Sequence, residues 1–210
     1  MIRLRYRPTA LFHFKRHDAT NKAALTLPMP TPYAVRTAFL AVADDPAASF
    51  AAVKAKTVVV RPPRRIVVNP CWVKVLTPRR SDEEWDNPAA TAEYKTTMSL
   101  REYAHIPGDG SSDLHVYVDS LDGIEELPPR VNYFGKRGSF VQFVGYDEAD
   151  PPAEPDEGLA FGLDDYGAKA TWDSVNVYTP KRPARAPFVQ RAQPSLTVRG
   201  VHHTLYQFEP

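Results

Sequence analysis

Twenty-one of the 210 residues are proline, about twice the usual share of roughly 5%. A proline inside a helix removes a hydrogen bond and clashes with the preceding turn, so each one limits where a helix can run. Helices should therefore be few, and extended segments and loops many. Two windows escape this limit, and in both the proline sits where a helix tolerates it. In TPYAVRTAFLAVA (31–43), Thr31 can cap and Pro32 takes the first helical position, where a missing N–H costs nothing. Val35, Ala38, Phe39 and Val42 then recur at helical spacing and predict a buried stripe. DDPAASFAAVKA (44–55) repeats the device. Asp45 caps, Pro46 starts, and a short second helix reaches about Ala55.

The rest of the chain reads as strands between turns. IRLRYR (2–7) alternates Ile2, Leu4 and Tyr6 against Arg3, Arg5 and Arg7, which predicts a half-buried strand with three arginines on its other face. LFHFKR (11–16) either extends it or forms a short strand of its own. TVVV (57–60), RIVV (65–68) and CWVKVL (71–76) are β-branched and separated by proline-rich turns. LHVYV (114–118), SFVQFVG (139–145), SVNVY (174–178) and VHHTLYQF (201–208) are further strands. DGIEELPPRV (122–131) suggests one or two helical turns broken by prolines. TPRRSDEEWDNPAATAEY (77–94) has no steady period and reads as an excursion. YDEADPPAEPDEGLAFGLDD (146–165) is acidic and proline-punctuated, the pattern of an exposed loop. The element order fits an α+β fold with a ferredoxin-like βαββαβ core, insertions and irregular proline-rich loops.

Length is compatible with one domain over 1–210, and hydrophobic content of 43% is enough for a core. Cys71 is the one cysteine, so no intramolecular disulfide forms, which fits a reducing compartment. No stretch approaches the ~18 apolar residues of a membrane span. The charged start MIRLRYR lacks a secretory apolar region. The expectation is a cytoplasmic protein. Net charge is only +1 but unevenly spread. Residues 1–80 carry 15 Lys+Arg against 3 acids, and residues 81–180 carry 6 against 21. That asymmetry suggests a face for a polyanion, unless the charges fold back on one another as surface pairs.

Familiar catalytic signatures are missing: no phosphate-binding loop, dinucleotide fingerprint, zinc-protease helix or paired cysteines. Cys71, beside Trp72 in a β pattern, reads as a small buried residue. His202 and His203 are adjacent in a strand and face opposite ways, so they do not chelate one ion together. His13, His17, His105 and His115 are scattered. Each could serve in metal-independent RNA cleavage with Tyr33 or Lys136 as partner, but a structural or surface role is the simpler reading of each. No metal or cofactor is expected.

RVNYFGKRGSFVQFVG (130–145) sets Lys136 and Arg137 between Gly135 and Gly138, follows with Ser139, and runs into a strand. Glycines permit positive φ and close approach of a ligand to bare backbone. Two cations and a hydroxyl complete a candidate anion nest; a solvated hairpin tip is the alternative.

LPMPTPYAVRTAFLAVA after an arginine-striped first strand, together with the later VNYFGKRGSFVQF, resembles the Cas-five family. These are small RAMP subunits of type I CRISPR interference (Cascade) complexes. The resemblance implies an RRM-like ferredoxin core with an inserted β-hairpin thumb, placed here at about 77–100. It also implies a ribonucleoprotein role in antiviral defence. The subunit would grip the crRNA 5′ handle, join a Cascade backbone (RAMP) subunit to the large subunit, and meet target DNA through the complex. One subtype's member cleaves precursor crRNA with a tyrosine, a lysine and an adjacent histidine. This chain has Lys136-Arg137 where that pattern has Lys-His, so the expectation is a non-catalytic subunit, with a metal-independent endoribonuclease as alternative. A DNA- or protein-binding adaptor is a third option.

Single-stranded RNA is held by cations on phosphates and flat groups on splayed bases. The residues expected at RNA are Arg3, Arg5, Arg7, Lys15, Arg16, Tyr33, Arg36, Gly135, Lys136, Arg137, Gly138 and Ser139. Phe12, Phe14 and Tyr133 are further candidate stackers, with core packing as the alternative for the two phenylalanines. Trp85, framed by DEEWD, suits a protein contact better than a base. The acidic middle would face partner subunits.

Overall fold

The structure is a computed structural model that describes residues 1–16, 23–79, 93–107, 110, 112–135, 138–175 and 185–209. His17, Trp85, Lys136, Arg137 and most of the SVNVY segment lie outside these residues. In chain order the elements are β1 (Ile2–Pro8), β2 (Phe14–Lys15), β3 (Ala23–Ala24), β4 (Thr26–Leu27), α1 (Pro32–Val42), α2 (Pro46–Ala55), β5 (Val58–Arg61), β6 (Arg65–Arg79), β7 (Glu93–His105) and β8 (Leu114–Val118). α3 (Leu127–Arg130), β9 (Val141–Glu148), β10 (Leu159–Tyr166), α4 (Trp172–Val175), β11 (Arg185–Ala192), β12 (Pro194–Arg199) and β13 (Thr204–Phe208) complete the chain. The fold is α+β, with mostly antiparallel sheets and few helices, as the proline spacing requires.

The first sheet has the order β5-β8-β1-β9, and every neighbouring pair in it is antiparallel. Both long helices lie between β1 and β5 in the chain, and α3 lies between β8 and β9. Alternation decides what each face of β1 meets. Leu4 and Tyr6 are fully buried, in one core with Val116 of β8, Val60 of β5, and Val35 and Phe39 of α1. The Tyr6 hydroxyl donates to the Pro128 carbonyl at 3.0 Å. Each helix begins as its proline predicts. Thr31 Oγ1 accepts from the Ala34 N–H, and Asp45 Oδ1 from the Ala47 and Ala48 N–H groups.

A second sheet has the order β12-β13-β6-β7-β3, and β10 pairs with β11 apart from it. β6 and β7 make one long hairpin, in register from Val67 opposite His105 to Arg79 opposite Glu93. The hairpin thus starts well before 77, and RIVV and CWVKVL are one strand rather than two. Pro70 does not interrupt it, for a geometric reason. In an antiparallel ladder, N–H and C=O groups of alternate residues point to the same side. Ala104 exchanges both backbone bonds with Phe12, and the Glu102 carbonyl meets His13 Nδ1 at 2.7 Å. Glu102, opposite Pro70, therefore faces away from β6, and the N–H that proline lacks is not needed.

Three other expectations change. The acidic 146–165 segment is a loop only over 149–158, because Tyr146–Glu148 finish β9 and Leu159 onward forms β10. Ser174 and Val175 belong to α4, where Ser174 Oγ takes the Thr171 N–H in a local turn. In α3, Pro128 and Pro129 fall in the first turn, where proline starts a helix rather than breaking it. No helix of the described residues is long and apolar enough to cross a membrane.

Candidate nucleic-acid interface

Gly135 (φ +65°) and Gly138 (φ +103°) occupy the left-handed region that glycine alone enters freely. A Cβ on Gly135 would sit 4.0 Å from Ala34 Cβ, so this turn lies against the first turn of α1. Tyr133 and Phe140 form a β-bridge that closes the turn. Ser139 is 3% exposed, and its hydroxyl oxygen accepts the His13 N–H at 3.3 Å. That hydroxyl anchors the turn to the segment before β2 instead of facing a ligand. Phe12 and Phe14 are buried with ring centroids 4.6 Å apart, so they pack the core rather than offer a stacking surface.

Lys15 is exposed and Arg16 half-buried, with the Arg16 N–H donating to the Leu25 carbonyl. Tyr33 begins α1 but is only 8% exposed. The Arg185 guanidinium covers its ring at 3.9 Å from the centroid, and Tyr166 meets it edge-on. Burial pushes the Tyr33 phenol above its ordinary pKa, and that of Tyr166 up to about 12. Arg36 is 5% exposed, with its guanidinium on both carboxylate oxygens of Asp165 and on the Val53 and Lys54 carbonyls at the end of α2. It ties α1, α2 and β10 together. A strand of RNA would have to displace all of these bonds to reach it.

The arginines of β1 project from the other side of the first sheet, away from the glycine turn. Arg3 makes a two-pronged ion pair with Asp147, and Arg7 one with Asp113. The Asp147 pair raises Arg3 and lowers Asp147, hydrogen bonding being the main cause in each. Arg5 Nε is buried with no partner among the described residues. The residues expected at RNA thus divide. Gly135, Gly138 and Ser139 belong to the turn against the first turn of α1, which holds Tyr33, and Arg3, Arg5 and Arg7 line the opposite face.

That opposite face holds a feature the expected set omits. Register places Tyr117 beside Arg3, and His115 beside Arg5 and Arg61. Arg3, Tyr117, His115 and Arg61 line, with Arg64 and Arg191, a cavity of about 880 Å³ that residues of the 149–158 loop and of β12 and β13 also border. Burial lowers His115 and Arg61 and raises Tyr117. The basic excess of residues 1–80 gave a signal for Arg61 and Arg64. Arg191 gave none, because β11 has no clear alternation.

No family model matches the chain. A CRISPR-associated protein Cas5 from Archaeoglobus fulgidus is 22% identical over 202 residues, covering 82% of each chain. This likeness spans far more than the two blocks of the glycine turn and α1, and it supports assigning the chain to the Cas5 family.

Proposed function

We propose that this protein is a non-catalytic crRNA-binding subunit of a type I CRISPR interference complex. In this reading its core is ferredoxin-like and the β6–β7 hairpin is the thumb. It works in the cytoplasm, holding the crRNA 5′ handle and joining a backbone subunit to the large subunit. The strand order β5-β8-β1-β9, with helices between β1 and β5 and between β8 and β9, supports the fold assignment. One observation carries the RNA assignment. A turn of two positive-φ glycines, framing Lys136 and Arg137 in the sequence, docks on the N-terminal turn of α1 from a hundred residues away. Helix N-termini and bare glycine backbone both favour phosphate, and the two cations add charge-assisted contacts.

The test is binding of a labelled single-stranded repeat RNA by wild type and by Lys136→Ala/Arg137→Ala, with both glycines retained. The double variant should lose on the order of 2–4 kcal/mol of affinity. Its unfolding free energy, from urea titration, should change by no more than about 0.5 kcal/mol. Wild-type binding should weaken with salt at a log–log slope of about −0.7 per phosphate contacted. The RNA should come through the incubation uncut. Unchanged affinity in the double variant would reduce the turn to a hairpin tip, and specific cleavage would restore the nuclease reading.

A further inference from the structure

We propose that the cavity on the arginine side of the first sheet is a second anion site, separate from the glycine turn, that takes the phosphate and base of one nucleotide. At about 880 Å³ it is within the range of single-ligand pockets. Its cations come from two parts of the chain: Arg61 and Arg64 lie at and just after the end of β5, and Arg191 lies on β11. The fold, not local sequence, brings Arg191 to the other two.

The charges in the cavity do not cancel. Arg3 is held by Asp147, and Asp150 is held by the N-terminal ammonium at 2.9 Å. That leaves Arg61, Arg64 and Arg191 against Glu154 and Glu209, and Glu154 already accepts the Arg191 backbone N–H. Arg61 is the telling member. Its guanidinium donates only to carbonyls, Pro152 at 2.9 Å and Val60 at 3.1 Å. Among the described residues it has no hydrogen-bonded carboxylate, and burial lowers its pKa. A partly desolvated cation whose nearest carboxylate, Glu154, acts on it only through space gains from an arriving anion. His115 adds no charge at neutral pH, since burial holds its pKa below the ordinary value.

The cavity is too large for a phosphate alone. Pro62, Pro152, Pro194 and Phe208 supply flat apolar wall beside the cations, which suits the base and sugar of a nucleotide. The nucleotide could be free or part of a strand, and two probes separate these sources. Calorimetry with AMP tests the free form. A short single-stranded RNA, titrated into the Lys136→Ala/Arg137→Ala background, tests the strand without the glycine turn. The informative variant is Arg64→Glu/Arg191→Glu, because both side chains are exposed and the backbone contact of Arg191 survives.

One-to-one binding of either probe, weakened about tenfold or more by Arg64→Glu/Arg191→Glu, supports the site; that ratio is about 1.4 kcal/mol. AMP binding should also be indifferent to the change at Lys136 and Arg137, so loss of one site does not mimic loss of the other. Two results overturn the proposal. In one, neither probe responds to Arg64→Glu/Arg191→Glu in protein whose circular dichroism matches wild type. In the other, a glutamate-rich peptide binds in a variant-sensitive way and neither nucleotide probe does, making the cavity a contact for an acidic protein.

Discussion

Arg36 and Arg61 are both guanidiniums drawn out of water onto backbone carbonyls, but their ends differ. Arg36 also meets both oxygens of Asp165, while Arg61 hydrogen-bonds to carbonyls alone. Both sit in the basic N-terminal third and look alike in sequence. The difference is the counterion, and Asp165 lies 129 positions away from Arg36. A compensated, buried cation is part of the framework. One that no carboxylate hydrogen-bonds, with Glu154 acting only through space, is available to a ligand. The basic character of a segment therefore says that cations are present and leaves open which of them the fold has already used.

The sharpest way to break this comparison is to remove each guanidinium. Arg36→Ala strands Asp165, which is 26% exposed at the side chain, and frees two carbonyls at the end of α2. Breaking a buried pair costs about 3–5 kcal/mol, and the partial exposure of Asp165 points to the lower end. Arg36→Lys should recover only part of that loss, because an ammonium does not reproduce the two-pronged contact. Urea unfolding measures both. A change under about 1 kcal/mol for Arg36→Ala would mean that the pair is not structural.

Arg61→Ala should cost far less, about 1 kcal/mol or below, since only hydrogen bonds to carbonyls are lost and no carboxylate is stranded. Equal losses in the two variants would end the distinction drawn here.

How far the sequence reaches follows the same division. Local rules read β1, β8 and both helix starts well, because Thr31, Asp45 and the Ile2–Arg7 alternation act within a few residues. The glycine turn was legible for a similar reason: positive φ is a local demand met by Gly135 and Gly138. Local rules failed for β10 and β11. Their strand character comes from pairing with each other, Leu163 opposite Phe188, across a separation no short window contains. They also failed for Arg36 and Ser139, whose polar groups are spent on Asp165 and on the His13 N–H. Polarity and position suggested ligand contact, whereas burial decided otherwise.

Arg3 lies between the two extremes, with a two-pronged partner that is 40% exposed. Solvent screening limits Arg3→Ala to about 0.5 kcal/mol at neutral pH. The sign of its pH dependence is fixed by Asp147, whose folded pKa is depressed chiefly by its hydrogen bonds to Arg3. The contribution is present above the unfolded value near 3.9 and disappears as pH falls through the lower folded value. Wild type and Arg3→Ala should therefore converge in stability in strong acid. A gap that widens there would mean that Arg3 acts through something other than Asp147.

Arg130 and Asp44 give the smallest effect and the cleanest control. Their 2.7 Å contact is as short as many in the interior, and Arg130 lowers the Asp44 pKa by hydrogen bonding. Geometry alone would rank this pair with Arg36 and Asp165. Yet the Asp44 side chain is 89% exposed, so water and salt already satisfy both charges once they separate. Ordering two side chains also costs rotamer entropy that the contact must first offset. Arg130→Ala should leave the urea midpoint unchanged within error at low and at high salt. A loss comparable to Arg3→Ala, shrinking as salt rises, would show that proximity stabilises without burial, and the contrast between Arg36 and Arg61 would then need a cause other than desolvation.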